Sequence, residues 1–115
     1  MKSCPSFKAD IYVGLRTGYS DNLHSVDSAK QLVRDYVNRV GLGVSFTETT
    51  FIYSEGEEPG LIIGLINYPR FPASDNEIEK RAMELGRILL TALSQERLSI
   101  VMSDYTIMLE KEDVR

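Results

Sequence analysis

The chain has one cysteine, Cys4, and one histidine, His24, among its 115 residues. A single thiol allows no internal disulfide framework, and a reducing, intracellular setting is the simplest reading. Nothing local joins Cys4 to His24, so a nucleophile–base pair has no support in the pattern. Ligand clusters of His, Cys and carboxylate at metal-binding spacing are missing too, and no metal or cofactor is expected. Basic residues are in deficit, 13 against 17 acidic ones, for a formal net charge of −4. That balance excludes a general nucleic-acid binder, whose affinity rests on neutralising phosphates. No apolar run approaches the roughly 20 residues that span a bilayer. The opening "MKSCPSFKAD" has no signal-peptide core, so a cytoplasmic protein is expected.

What is present is ordinary for one folded domain: 43% hydrophobic and 26% charged residues over 115 positions. "KADIYVGLR" alternates Ile11, Val13 and Leu15 against polar positions, the period of a half-buried strand. After the polar loop "TGYSDNLHS", Ser25 is an N-cap for a helix whose stripe runs Val26, Ala29, Leu32, Val33, Tyr36, Val37 and Val40, stopped by Gly41. "GVSFTETTFIY" reads as a second strand, "SEGEEPG" as an acidic turn, and "LIIGLIN" as a central strand apolar on both faces. Ser74 and Glu77 form a capping box for a second helix bearing Ile78, Ala82, Leu85, Leu89, Ala92 and Leu93. "RLSIVM" and "TIMLE" follow as strands. Residues 1–7 and the tail 111–115 are expected to fray.

The order β-α-β-β-α-β plus a short terminal strand predicts an α+β, ferredoxin-like split βαβ domain. Its antiparallel sheet carries two helices on one face. The other face needs cover, and a second copy of the chain is the expected one, giving a homodimer or an assembly of dimers.

Two loops carry the candidate chemistry. "LINYPRFP" closes the apolar strand with Asn67, Tyr68, Arg70 and Phe71. An amide reads a base edge, a guanidinium grips phosphate or carboxylate, and aromatic rings stack on a nucleobase. The bland alternative is that Tyr68 and Phe71 plug the sheet's end while Asn67 terminates the strand. "GLRTGYSDNLHS" brings Arg16, Tyr19 and His24 to the end of the first strand, and Arg97 is an outside candidate after the second helix. His24 has a capping or packing role as its bland reading. With the first and third strands antiparallel neighbours, the two loops lie at opposite ends of the sheet. They would share a pocket only across a two-fold axis.

Taken together, "IYVGLRTGYSDNLHS", "FIYSEGEEPGLIIGLINYPRFP" and "LSQERLSIV…YTIMLE" resemble the phage-encoded Thoeris anti-defence sponge proteins of the first described type. The resemblance implies a non-enzymatic protein of the infected host's cytoplasm. It would sequester an anionic signalling nucleotide, a cyclic ADP-ribose isomer or a cyclic oligonucleotide, and so block bacterial anti-phage defence. Arg16, Tyr19, Asn67, Arg70 and Phe71 would grip that ligand. Two other readings stay open: a small dimeric ferredoxin-like enzyme, an isomerase or cofactor-free oxygenase using His24 or Tyr19 as acid or base, and a structural assembly domain.

Overall fold

A computed structural model describes residues 1–114. Five strands and two helices follow in the order β1 (Lys8–Gly14), α1 (Val26–Val40), β2 (Ser45–Tyr53), β3 (Gly56–Ile66), α2 (Asp75–Ala92), β4 (Arg97–Met102) and β5 (Thr106–Glu110). All pairings are antiparallel, in the sheet order β2-β3-β1-β4-β5. The expected α+β, ferredoxin-like topology is therefore the observed one, with β5 added as a short edge strand.

Local chemistry explains the helix limits. Ser25 accepts from the Ser28 amide and Ser74 from the Glu77 amide, satisfying donors that a helix start leaves orphaned. Gly41 ends α1 at φ 72°, a left-handed conformation that glycine adopts without a Cβ penalty. α2 ends differently: Leu93 caps it, and Ser94 turns at φ 52° to send the chain into β4.

The core lies between the helices and one face of the sheet. Ala9, Ile11 and Val13 of β1 meet Leu61, Ile63 and Leu65 of β3 there, with Leu98 and Ile100 of β4; Leu85 and Leu89 of α2 pack from above. The opposite face has no helix, and it presents Tyr12, Phe51, Ile62, Val101 and Met108. Phe51 reaches across Gly60 to stack on Tyr12, with ring centroids 6.1 Å apart; a Cβ on Gly60 would stand 2.1 Å from the Phe51 ring.

Three expectations need correction. "SEGEEPG" is not a turn as a whole: Ser54 and Glu55 alone make it, with Glu55 at φ 70°, and β3 starts at Gly56. Pro59 is tolerated because the Leu15 carbonyl, which an amide at that position would meet, takes the His24 amide instead at 2.8 Å, while the Pro59 carbonyl accepts from the Leu15 amide at 3.1 Å. The C-terminal tail does not fray as far as it is described. Residues Lys111–Val114 form a 3-10 turn, Val114 packs on the core, and the Lys111 amide bonds to the Glu96 carbonyl at 2.9 Å; position 115 lies outside the described residues. At the other end, residues 1–7 have no regular structure, but Phe7 packs on the core and its carbonyl accepts from Asn67. No helix among the described residues is long and apolar enough to cross a membrane.

A half-buried polar cluster around the buried Tyr36 ties α1 to α2. The Tyr36 hydroxyl lies 2.7 Å from Glu84 Oε1 and 3.2 Å from the Arg81 carbonyl oxygen, and Arg81 bridges Glu77 and Glu84 at 3.1 Å each. Burial, then the hydrogen bond to the Glu84 carboxylate and its charge, push the Tyr36 phenol up from 10.0 to about 12. Because the protonated phenol is favoured in the fold, its contribution is complete below pH 10 and is lost as pH rises through about 12. A shift of this size amounts to about 2–3 kcal/mol. Tyr36→Phe should lower stability at pH 8 by about 1–2 kcal/mol. It should also flatten part of the loss seen by urea denaturation as pH rises from 10 to about 12; an equal loss in both proteins would refute this role.

Candidate functional site

The end of β1 decides where polar chemistry can gather. Gly14 pairs with Gly60, and Leu15 is the last buried residue before the loop. Residues 16–23 form a pinched loop, held by a bridge between Arg16 and Leu23 and by the Thr17 amide on the Asn22 carbonyl at 2.8 Å. The Gly18 amide docks this loop on the turn before β4 through the Ser94 carbonyl, 2.9 Å away. Gln95 fastens it from the same turn. Its Nε2 donates to the carbonyls of Arg16 at 2.7 Å and Leu93 at 3.0 Å, and the side chain is buried.

A cavity of about 230 Å³ opens between these pieces, lined by Arg16, Gly18, Tyr19, Tyr53, Glu58, Gln95, Glu96 and Arg97. Gly14 lies against two of the lining side chains. A Cβ there would lie 3.1 Å from both Glu58 Oε2 and Gln95 Oε1, so two acceptors converge over a position without a side chain. The Arg16 side chain lies in the wall. Its Nη2 reaches the Glu57 carbonyl at a long 3.4 Å, and its Nε is buried with no partner. Among the described residues no ion pair joins Arg16 or Arg97 to Glu58 or Glu96. Two guanidinium groups and two carboxylates thus line one small cavity with no direct ion pair between them among the described residues. Such a site suits a ligand carrying charges of both signs, and Tyr19 and Tyr53 offer flat faces beside it.

Of the residues singled out in the sequence, Arg16, Tyr19 and Arg97 meet at this cavity. His24 does not line it: its Nε2 lies 2.9 Å from the Thr17 hydroxyl, and its amide bonds to the Leu15 carbonyl, so it braces the loop. Asn67, Tyr68, Arg70 and Phe71 sit at the opposite end of β3, as the antiparallel pairing requires. The Asn67 amide is consumed by structure, donating to the Pro5 carbonyl and accepting from the Ala73 amide, each at 2.8 Å. Tyr68 and Phe71 close a tight turn, Arg70 stacks 5.2 Å over the Phe71 ring, and a smaller cavity of about 200 Å³ lies beneath. The residues missed in the sequence are Tyr53, Glu58, Gln95 and Glu96. Glu58 was hidden by reading "SEGEEPG" as a turn. No local signal marks it as strand, because Gly56 and Pro59 are held in β3 only by pairing with Tyr53 and Thr50.

No family model matches the chain, and no curated protein matches it. Two solved structures do. A phage SAM lyase in complex with S-methyl-5'-thioadenosine superposes with a TM-score of 0.80 at 19% identity, covering 97% of this chain and 95% of that one. A phage SAM lyase in the apo state superposes with a TM-score of 0.79 at 18% identity, covering 92% and 90%. At such identities the likeness establishes the fold. The matches also overturn the expected function, non-enzymatic sequestration of a cyclic ADP-ribose isomer or a cyclic oligonucleotide. The matching proteins are enzymes, and the ligand recorded in one is a thioether nucleoside. Among the readings left open, the small ferredoxin-like enzyme is the one these matches favour.

The Gln95 clamp is directly testable. Gln95→Leu should cost about 1–3 kcal/mol by leaving two carbonyls without their donor. It should also speed hydrogen exchange at the Thr17 and Gly18 amides, while unchanged protection would show that the loop does not depend on Gln95.

Proposed function

We propose that the chain is a lyase acting on an S-adenosylmethionine-class sulfonium nucleoside at the cavity around Arg16, Glu58 and Glu96. The observation that carries this reading is the superposition over 97% of the chain on a phage SAM lyase. The cavity's chemistry supports it independently. S-adenosylmethionine has a sulfonium, an ammonium and a carboxylate, and Glu58 and Glu96 suit the first two as Arg16 or Arg97 suits the third. Tyr19 and Tyr53 suit the adenine ring.

A lyase that releases S-methyl-5'-thioadenosine breaks the bond between sulfur and the γ-carbon of the amino-acid arm. Sulfur keeps the electron pair and leaves as a neutral thioether. The γ-carbon receives either the ligand's own carboxylate oxygen, closing a lactone with no proton released, or a carbon–carbon double bond as a β-proton leaves to a carboxylate such as Glu58. Either route balances without water, metal or an oxidant. The site's part is to hold the cation and to fix the arm's conformation, the usual gain from orientation.

At about 230 Å³ the cavity falls below the roughly 300–1,000 Å³ of clefts that enclose whole ligands. The helix-free sheet face adjoins it through Tyr53 and exposes Tyr12 and Met108. A second copy laid on that face, the homo-oligomer expected from the layering, belongs to this proposal as the remaining wall. Cytoplasmic action in an infected host follows from such a substrate, which cells make and hold in that compartment.

Purified protein incubated with S-adenosylmethionine should release S-methyl-5'-thioadenosine, and mass spectrometry of the four-carbon fragment distinguishes lactone from alkene. Glu58→Gln should retain its melting temperature while kcat/KM falls about 10- to 100-fold, the loss of one charge-assisted contact. No thioadenosine at stoichiometric protein would refute the lyase reading, and undiminished turnover by Glu58→Gln would remove Glu58 from it.

A further inference from the structure

We infer that Arg16 is the residue that reads the carboxylate of the ligand's amino-acid arm, and so sets the site's specificity for a nucleoside that still carries one. The inference rests on the proposed S-adenosylmethionine-class ligand and goes beyond it by assigning one contact. Its ground is an unsatisfied donor. Arg16 Nε is buried without any partner, although a buried donor left unpaired is costly and native folds avoid it. The neighbouring Nη2 has only a 3.4 Å contact with the Glu57 carbonyl. Nε and Nη2 lie on one edge of the guanidinium, the edge that a carboxylate meets with two parallel hydrogen bonds.

The backbone of Arg16 is fixed on both sides. Gln95 Nε2 holds its carbonyl at 2.7 Å, and the bridge to Leu23 pins the loop. The side chain therefore starts from a set position, which is what a specificity contact needs. Arg97 is the weaker candidate because it is an exposed residue at the start of β4, opposite Glu110 in the register. A phosphate-bearing ligand would satisfy Arg16 as well, but Glu58 and Glu96 in the same cavity oppose a multiply charged anion. A carboxylate accompanied by its own cationic groups meets no such penalty.

The test compares two thioether nucleosides that cannot lose a sulfonium leaving group: S-adenosylhomocysteine and its decarboxylated analogue. By titration calorimetry the unaltered protein should bind the carboxylated one about 10- to 100-fold more tightly. Arg16→Gln should abolish that preference while leaving the affinity for the decarboxylated analogue unchanged, and Arg16→Lys should restore part of it. Equal affinities in the unaltered protein would overturn the role of Arg16 alone. An equal loss for both ligands in Arg16→Gln would do the same, since it marks a structural role. If neither nucleoside bound the unaltered protein, the ligand class itself would fall, and the Arg16 assignment with it. The comparison in the unaltered protein stands even if Arg16→Gln folds poorly.

Discussion

The placement of everything else depends on β1 being hydrogen-bonded on both sides, to β3 and to β4, with both neighbours antiparallel. Lys8 stands opposite Ile66 and Gly14 opposite Gly60, so whatever follows β1 lies seven residues of sheet away from whatever follows β3. At roughly 3.4 Å per residue that is on the order of 20 Å. One end therefore collects the loop after β1, the start of β3 and the turn before β4. The other collects the "NYPRF" turn and the N-terminal segment. The buried run of Ile11, Val13, Leu61 and Ile63 locks this register, since a one-residue slip would turn all of them outward.

Within that frame, the site exists because two positions lack side chains or partners. Gly14 leaves the space into which Glu58 and Gln95 converge. Arg16, next but one along the chain, leaves a buried Nε unmet. At one end of its sheet the protein accepts a desolvated donor and, among the described residues, a set of charges with no direct ion pair between them. It compensates with the dense apolar core and with the Tyr36–Glu84–Arg81 cluster between the helices. Local cost at a functional site, offset by consistency elsewhere, is the common arrangement in folded proteins. It also separates the two ends chemically. The Asn67 amide is fully engaged in holding the chain together, whereas Arg16 is not.

The fold was legible because its signals are local. Ser25, Gly41 and Ser74 mark helix ends, the stripe from Val26 to Val40 marks a face, and the alternation from Ala9 to Leu15 marks a strand. The start of β3 was not legible, because Gly56 and Pro59 are turn residues by composition and are kept in the strand by pairing with Tyr53 and Thr50. Glu58 was hidden with it, and Gln95 was missed for a different reason, since it acts through a contact 79 positions away along the chain. "NYPRF" carried the right residue types for a ligand and the wrong environment, since hydrogen-bond partners such as Pro5 and Ala73 are set by tertiary structure. Function was least legible of all. A ferredoxin-like pattern is shared by proteins with many ligands, so a resemblance resting on that pattern does not fix what is bound.

The central claim is that a thioether or sulfonium nucleoside binds at the Arg16 end of the sheet. The most direct measurement is an amide NMR titration of the protein with S-methyl-5'-thioadenosine. The account predicts saturable shifts confined to residues 14–19, Tyr53, Glu58 and residues 95–97, with Tyr68 to Phe71 unmoved. Shifts centred on Tyr68 to Phe71, or none at saturating ligand, would contradict it.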